Sequence, residues 1–368
     1  TYFEGQCAGN PKAARGRSKE KRSDCPLVTL GLVLDGSGFV RRSRLFEGNA
    51  TEAHTLEQML RDLGAPKNAL VICDAGISTA DNLTWLIANG YRYLAVSREQ
   101  HRQFDANGAT AFERAGGETI RVHKVLSDDA QEVRLYCHST GREKKEVAIV
   151  ERFAERFEKG LTQLAAGLAK SRGEKRYDKI MERIGRLKEK SHGLGQHYQI
   201  TVKPDESSKK AISITWCKTP KPGSMLTDPG VYCLRTNELT WDAEKLWRTY
   251  IMLTDLEAVF RSLKSELGLR PVYHSKQART DGHLFISVLA YQFVQFLRTH
   301  LKAQGIHDSW NTLRETLTIQ RRTTTSFRQR DARTLHIRKT SAPEPDLQKI
   351  YSILGLDPKP GGIKKLVT

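Results

Sequence analysis

The chain has 368 residues, with 60 Lys and Arg against 42 Asp and Glu, giving a formal net charge of +18 at pH 7. With 38% apolar residues it has the length for one large domain or two ordinary ones, and it is too apolar for wholesale disorder. The basic excess points to a polyanion, nucleic acid ahead of an anionic membrane surface; the longest apolar run, Leu284 to Leu297, is too short and too interrupted by glutamine to span a bilayer.

Six cysteines (Cys7, Cys25, Cys73, Cys137, Cys217 and Cys233) are scattered without a Cys-x-x-Cys pair, so the spacing suits neither a zinc site nor a small disulfide scaffold. Reduced thiols and a cytoplasmic location are expected. The sequence opens at Thr1 without the cationic-then-apolar pattern of a leader, and Tyr2-Phe3 already reads as strand, as if the chain started in mid-domain.

Residues 10–24, rich in Lys and Arg, read as an exposed basic loop. Leu27 to Leu34 and Phe39 to Phe46 are strands joined at Asp35-Gly36-Ser37-Gly38, a hairpin in which Asp35 would precede Gly36 in a type I′ turn. Thr51 to Leu63 has a helical period, with Thr51 as cap and Gly64 as stop. Ala69 to Cys73 is a continuous apolar run, the pattern of a central strand buried on both faces, and it ends in Asp74-Ala75-Gly76. Thr79 caps a second helix that stops at Gly90, and Tyr91 to Val96 returns as strand, so a mixed sheet covered by helices is expected.

Beyond Arg98 the pattern becomes antiparallel: Thr119 to Leu126, Glu132 to His138, Gln196 to Val202, Ala211 to Trp216 and Val231 to Arg235 alternate as strands. Between them, Glu146 to Lys170 and Lys175 to Lys190 are charged helices. Their cations suit a polyanion, and the interleaved Glu174, Asp178, Glu182 and Glu189 equally suit a solvated, ion-paired surface. Trp241 to Leu267 is a long helix, and Asp281 to Leu301 is another, apolar on several sides and expected to be buried, with Asp281-Gly282-His283 as its cap. Arg321 to Lys339 reads as a flexible basic arm or partner-binding segment.

Two carboxylates stand out. Asp74 lies just past the carboxyl end of a strand, where α/β sheets place ligands, although an Asp before Gly76 also suits a plain turn. On a helix of about 100° per residue, Tyr250, Arg261 and Lys264 fall within roughly 40° of Glu257, while Leu256, Phe260, Leu263 and Leu267 form the adjoining core stripe. That row suits a functional edge, and it also suits ordinary surface ion pairs. Taken together, a strand-end Asp and a helical Glu in a basic protein suit Mg²⁺ or Mn²⁺ in a two-ion phosphoryl-transfer site, which needs a third acid. Asp35, Asp81 and Asp255 are weak applicants, and His274 and His283 lack the spacing of a helical zinc pair.

These residues resemble the DDE-type insertion-sequence transposases of the IS-four group. Tyr250, Glu257 and Lys264 fall on the group's Tyr-x2-Arg-x3-Glu-x6-Lys signature, with Leu253 in the arginine place and Arg261 on the same stripe as a stand-in cation. Asp74, in Val71-Ile72-Cys73-Asp74-Ala75-Gly76, matches the second acidic region, and Leu269 to His274 with Asp281 to His283 also look like one subgroup. Thr1-Tyr2-Phe3-Glu4-Gly5 resembles the tail of the family's first strand, which places the first catalytic Asp upstream of Thr1.

The resemblance implies a ribonuclease H-like α/β fold: a mixed sheet flanked by helices and interrupted by a largely β insertion domain with charged helices. Residues 1–98 would open the catalytic core and 99–240 would be the DNA-contacting insertion. Residues 241–305 would close the core, and 306–368 would form a basic tail. It further implies Asp74 and Glu257 as catalytic metal ligands, and Tyr250, Lys264 and Arg261 as phosphate-positioning groups. The partners would be transposon terminal inverted repeats and target DNA, engaged by a synaptic homodimer with no membrane association. A chain lacking one acid would be inactive alone. Two readings remain beside it: another ribonuclease H-like nuclease or resolvase, and an inert DNA-binding remnant. An RNA-associated basic protein fits the charge but leaves the two carboxylates unexplained.

Overall fold

The computed structural model describes residues 1–3, 5–16, 22, 24–99, 101–114 and 117–368, without the side chains of residues 254–258. In chain order, β1 (Val28–Leu34) and β2 (Val40–Glu47) are followed by a short α1 (Leu56–Leu60), β3 (Leu70–Cys73), α2 (Ala80–Ala88) and β4 (Arg92–Val96). Next come β5 (Thr110–Arg114), β6 (Glu118–Leu126), β7 (Val133–Ser139), α3 (Thr140–Ala169), α4 (Tyr177–Lys190), β8 (Tyr198–Pro204), β9 (Ala211–Lys218) and β10 (Val231–Thr236). The chain continues through α5 (Ala243–Ser265), α6 (Gln277–Ala303), α7 (Trp310–Ile319), β11 (Arg322–Arg328), β12 (Thr334–Thr340), α8 (Pro345–Leu354) and β13 (Lys364–Val367). Two compact units result, one of Thr1–Ala65 with Met252–Thr368 and one of Pro66–Ile251. Among the described residues no helix is long and apolar enough to cross a membrane.

In the Pro66–Ile251 unit the strands run β3-β4-β10-β7-β6-β5. β3 and β4 are parallel, and the remaining neighbours are antiparallel, so the sheet is mixed. Alternation explains its core: Ile120 and Val122, Val133, Leu135 and Cys137, and Leu234 all point to one buried side, where Leu246 and Trp247 of α5 cover them. Leu135 is fully buried on β7, in the middle of this strand order. Leu135→Ala should therefore cost about 2–5 kcal/mol, read as a lower urea midpoint at unchanged slope. A second core in the same unit joins Val150, Phe157 and Leu161 of α3 to Ile180 and Ile184 of α4 and to Tyr198, Val202 and Ile214 of β8 and β9.

The expected β3 differs from the observed one. It lies at the end of the strand order, with Leu70, Val71 and Ile72 half-buried and Cys73 buried. A short apolar run alone does not separate a central strand from an end strand. β5 was not legible in sequence, because Thr110–Arg114 is largely exposed and polar.

In the other unit, Phe3, Val28, Val259, Leu263, Leu269, Val272, Leu284 and Tyr291 form the core. Tyr2 and Phe3 make isolated bridges to Leu27 and Val272. Part of the expected basic loop, residues 17–21 and 23, lies outside the described residues; nearby Asn10 is buried and its amide donates to Thr280 Oγ1 at 3.3 Å. The β1–β2 connection is longer than a two-residue turn. Asp35 Oδ1 accepts from the amides of Ser37 (2.9 Å) and Phe39 (3.0 Å), and the left-handed residue is Gly38 (φ 81°), not Gly36.

Four further expectations differ from the structure. The helix expected to Leu63 is a 3₁₀ turn (Glu52–Thr55) and α1, ending at Leu60. Asp62 is left-handed (φ 56°), and Arg42 donates to the carbonyls of Met59 (3.2 Å) and Asp62 (2.8 Å), which satisfies the helix end early. Asp281-Gly282-His283 lies inside α6 rather than capping it; Lys276 is the cap, and Thr280, buried against Asn10, draws the first turn into the helix. α6 is not wholly buried either. Leu284, Val288, Tyr291 and Val294 face the core, while Phe285, Ile286, Phe293 and Phe296 are exposed. The basic arm is ordered as a three-stranded sheet, β11-β12-β13.

Candidate active site

β3 delivers Asp74 to its carboxyl end, beside the matching end of its parallel neighbour β4. There the main chain grips the side chain. Asp74 Oδ1 accepts from the amides of Gly76 (3.0 Å) and Ile77 (3.3 Å), and the Asp74 carbonyl accepts from the amide of Ser78 at 3.1 Å. Ser78, almost fully buried, donates its hydroxyl to the Val96 carbonyl at 2.9 Å, tying this turn to the end of β4. Thr79 then caps α2 by accepting from the Asn82 amide at 3.2 Å. Sequence reading passed over Ser78, although a Ser-Thr pair between a strand and a helix is a legible cap signal.

The result is an exposed carboxylate with one oxygen anchored and, among the described residues, no hydrogen-bond partner on Oδ2. A hard oxygen presented to solvent on a fixed backbone suits a divalent cation. Burial, and then the neighbouring Asp74 charge, push the Cys73 thiol up to about 12, so Cys73 stays a neutral thiol and offers no competing thiolate. Among the described residues no group of three or more His, Cys, Asp or Glu is gathered around a metal position. Glu257, together with Asp255 among the weaker applicants, lies outside the described side chains.

α5 carries the remaining candidates. Tyr250 is half-buried, its ring centroid 6.5 Å from that of Tyr232. Tyr232 is itself fixed, because Trp247 Nε1 donates to its hydroxyl at 2.7 Å and the Arg142 guanidinium sits 4.8 Å from its ring centroid. Further along, Val259 and Leu263 are buried as the helical stripe requires, Arg261 is exposed and Lys264 half-buried. The helix stops at Ser265, just before the left-handed Gly268 (φ 67°). Asp74 and Tyr250 thus belong to the Pro66–Ile251 unit, and Arg261 and Lys264 to the other.

The weaker applicants have local explanations. Asp35 is occupied by its own turn, and Asp81 is exposed in the first turn of α2, where a carboxylate favours the helix dipole. His274 and His283 do meet, ring edge to ring face at 5.5 Å, with His283 Nε2 within 3.1 Å of the Gly268 carbonyl. The structure therefore brings together two histidines that sequence spacing did not pair, in a contact that holds the loop before α6.

A cavity of about 660 Å³ opens where β4 ends, lined by Val96, Ser97, Arg102, Tyr136 and Arg142 among others. Its arginines are already committed to Glu146: Arg102 Nη2 donates at 3.1 Å and Arg142 Nε at 2.8 Å. With both guanidiniums held on this one carboxylate, neither is free to turn to an anion in the cavity.

The model of one protein family, the transposase DDE domain, matches residues 6–293. The chain belongs to this family. Comparison with curated proteins gives no match. As a transposase DDE domain the chain falls in a class of DNA-cleaving phosphoryl-transfer enzymes that act on DNA and generally depend on divalent metal. Both Asp74 and the α5 row lie within the matched span, whereas α7, α8 and the β11–β13 sheet lie beyond it.

Proposed function

We propose that this transposase belongs to the IS-four group, with a ribonuclease H-like core formed by residues 1–98 and 241–305. Residues 99–240 would be its DNA-contacting insertion, 306–368 its basic tail, and its ends would be paired by a synaptic dimer. In this reading Asp74 and Glu257 hold Mg²⁺ or Mn²⁺, and Tyr250, Arg261 and Lys264 position DNA phosphates. The single observation that carries the reading is the Asp74 carboxylate, anchored by two amides at the end of a strand in a mixed sheet.

When bound, a divalent ion pair activates the attacking water or 3′-hydroxyl and stabilises the leaving oxygen. The chain's own contribution is positional. The Gly76 and Ile77 amides hold Asp74 Oδ1, leaving Oδ2 for the cation. Tyr232, fixed by Trp247, stands against the Tyr250 ring, whose hydroxyl would meet a DNA phosphate. Arg261, exposed on α5, and Lys264, three residues on, supply charge that neutralises the backbone of the bound strand.

The test uses protein expressed with whatever sequence its gene places before Thr1, mixed with labelled duplexes that carry or lack the element's ends. Cutting confined to end-bearing duplex, dependent on added Mg²⁺ or Mn²⁺, is the expected result. Cutting of branched DNA without regard to ends would replace the proposal with a resolvase, and tight binding without any cutting would replace it with an inert remnant.

A further inference from the structure

The β11–β13 sheet is basic and outside the family match; β11 and β13 are exposed, while β12 between them is half-buried from Thr334 to Ile337 and buried at Thr340. Its register sorts the charges. Residues paired across an antiparallel ladder share a face, so Arg322, Thr324, Ser326 and Arg328 of β11 stand with Thr340, Arg338, His336 and Thr334 of β12. Lys364 and Leu366 of β13 join them opposite Arg338 and His336. This face holds cations and hydroxyls, with Leu366 as its apolar member, and carries no carboxylate. The opposite face is apolar along its middle, with Phe327, Leu335, Ile337 and Val367, and carries Lys339 and Lys365.

Cross-strand bonds tie the polar face together. Arg338 Nε donates to Thr324 Oγ1 at 2.8 Å, Ser326 Oγ and His336 Nδ1 are 2.7 Å apart, and His336 Nε2 is 3.0 Å from Thr368 Oγ1. Arg322 is held by the Gly361 carbonyl at 2.9 Å. Among the described residues no carboxylate pairs with Arg328, Arg338 or Lys364, whereas Asp331 in the connecting loop is occupied by Arg333. β11 is exposed along its whole length, so a partner can approach the ribbon from its free edge as well as its face.

We propose that this ribbon is a second DNA-binding surface that takes the backbone of a duplex along the row Arg322, Thr324, Ser326 and Arg328, with Arg338 and Lys364 beside it. From Arg322 to Arg328 the strand advances about 20 Å, the rise of roughly six nucleotides along one DNA strand. Cations neutralise phosphates and hydroxyls donate to their oxygens. The proposal rests on DNA as the substrate class of this family, and its test reads binding instead of cutting, so its failure is distinguishable from failure of the catalytic assignment.

The experiment compares two pairs of substitutions of equal charge in the complete protein. Arg328→Ala with Lys364→Ala removes two cations from the hydroxyl face, and Lys339→Ala with Lys365→Ala removes two from the other. Affinity for a 30-base-pair duplex is measured against salt by fluorescence anisotropy. The first pair should weaken binding by about tenfold or more near 0.1 M salt and lower the log–log salt slope by about 2, while the second should change affinity less than about threefold. Should the first pair lower the melting temperature, Arg328→Lys with Lys364→Arg restores the charges and should restore binding. Equal losses from both pairs, unchanged binding, or a preference of the ribbon for single strands or duplex RNA would overturn the proposal.

Discussion

Asp74→Asn is expected to lower metal-dependent strand cleavage by about a thousandfold or more, a loss of roughly 4 kcal/mol of transition-state stabilisation, with DNA affinity nearly unchanged. The substitution keeps the shape and leaves an amide oxygen to accept from Gly76 and Ile77, so the turn survives. What disappears is the negative charge at Oδ2, the atom left for a cation. Glu257→Gln should behave alike, because the proposal assigns both acids to the same metal. Asp35→Asn is the matched control. Its carboxylate serves its own hairpin, and the variant should cut at the parental rate. Cleavage by Asp74→Asn within tenfold of the parent would remove Asp74 from the site.

The second large effect concerns stability. Glu146 is buried on α3, where it accepts from Arg102, from Arg142 at 2.8 Å and from the Gly230 amide at 2.8 Å, joining α3, the segment after β4 and the start of β10. Glu146→Ala leaves two arginines without their anion and should cost about 3–5 kcal/mol, measured by urea unfolding at pH 7. Burial raises this carboxyl's pKa, but the bonds from Arg102, Gly230 and Arg142 together outweigh it, and the net position is below the usual glutamate range. Between the two pKa values the unfolded chain binds the extra proton. The stabilisation is therefore complete above the unfolded value, near pH 4.3, and is lost as pH falls through the folded one. The parent should lose stability across that acid window, and Glu146→Ala should show a flatter profile. A variant within about 0.5 kcal/mol of the parent would show that the network contributes nothing.

Much of the fold was legible because burial writes a period into the chain. β6, β7, β8, β9 and β10 stand where alternation puts them, and α3, α4 and α5 where the helical stripe does, to within a few residues at most ends. Elements without a buried face left no such trace. β5 and β11 are nearly all exposed, and β11 is ordered by ladder bonds and threonine's preference for extended backbone, which a search for apolar periodicity passes over. Tertiary contacts decided other details: Arg42 shortened α1, and Asn10, distant in sequence, drew Thr280 into the first turn of α6. The candidate site was legible in the same uneven way. A strand-end Asp announced Asp74, and spacing on one helix announced Tyr250, Arg261 and Lys264. The aromatic post behind Tyr250 joins residues from three elements and leaves no local signal.

The grip on Asp74 has an evolutionary consequence. Its oxygen is held by the peptide amides of Gly76 and Ile77, which every residue except proline supplies, so this grip places little chemical obligation on the side chains at those two positions. Drift can rewrite those positions while the carboxylate stays where it is. A candidate site built this way is durable in space and faint in text: its trace is a lone acid after a short apolar run, which many turns also show by chance.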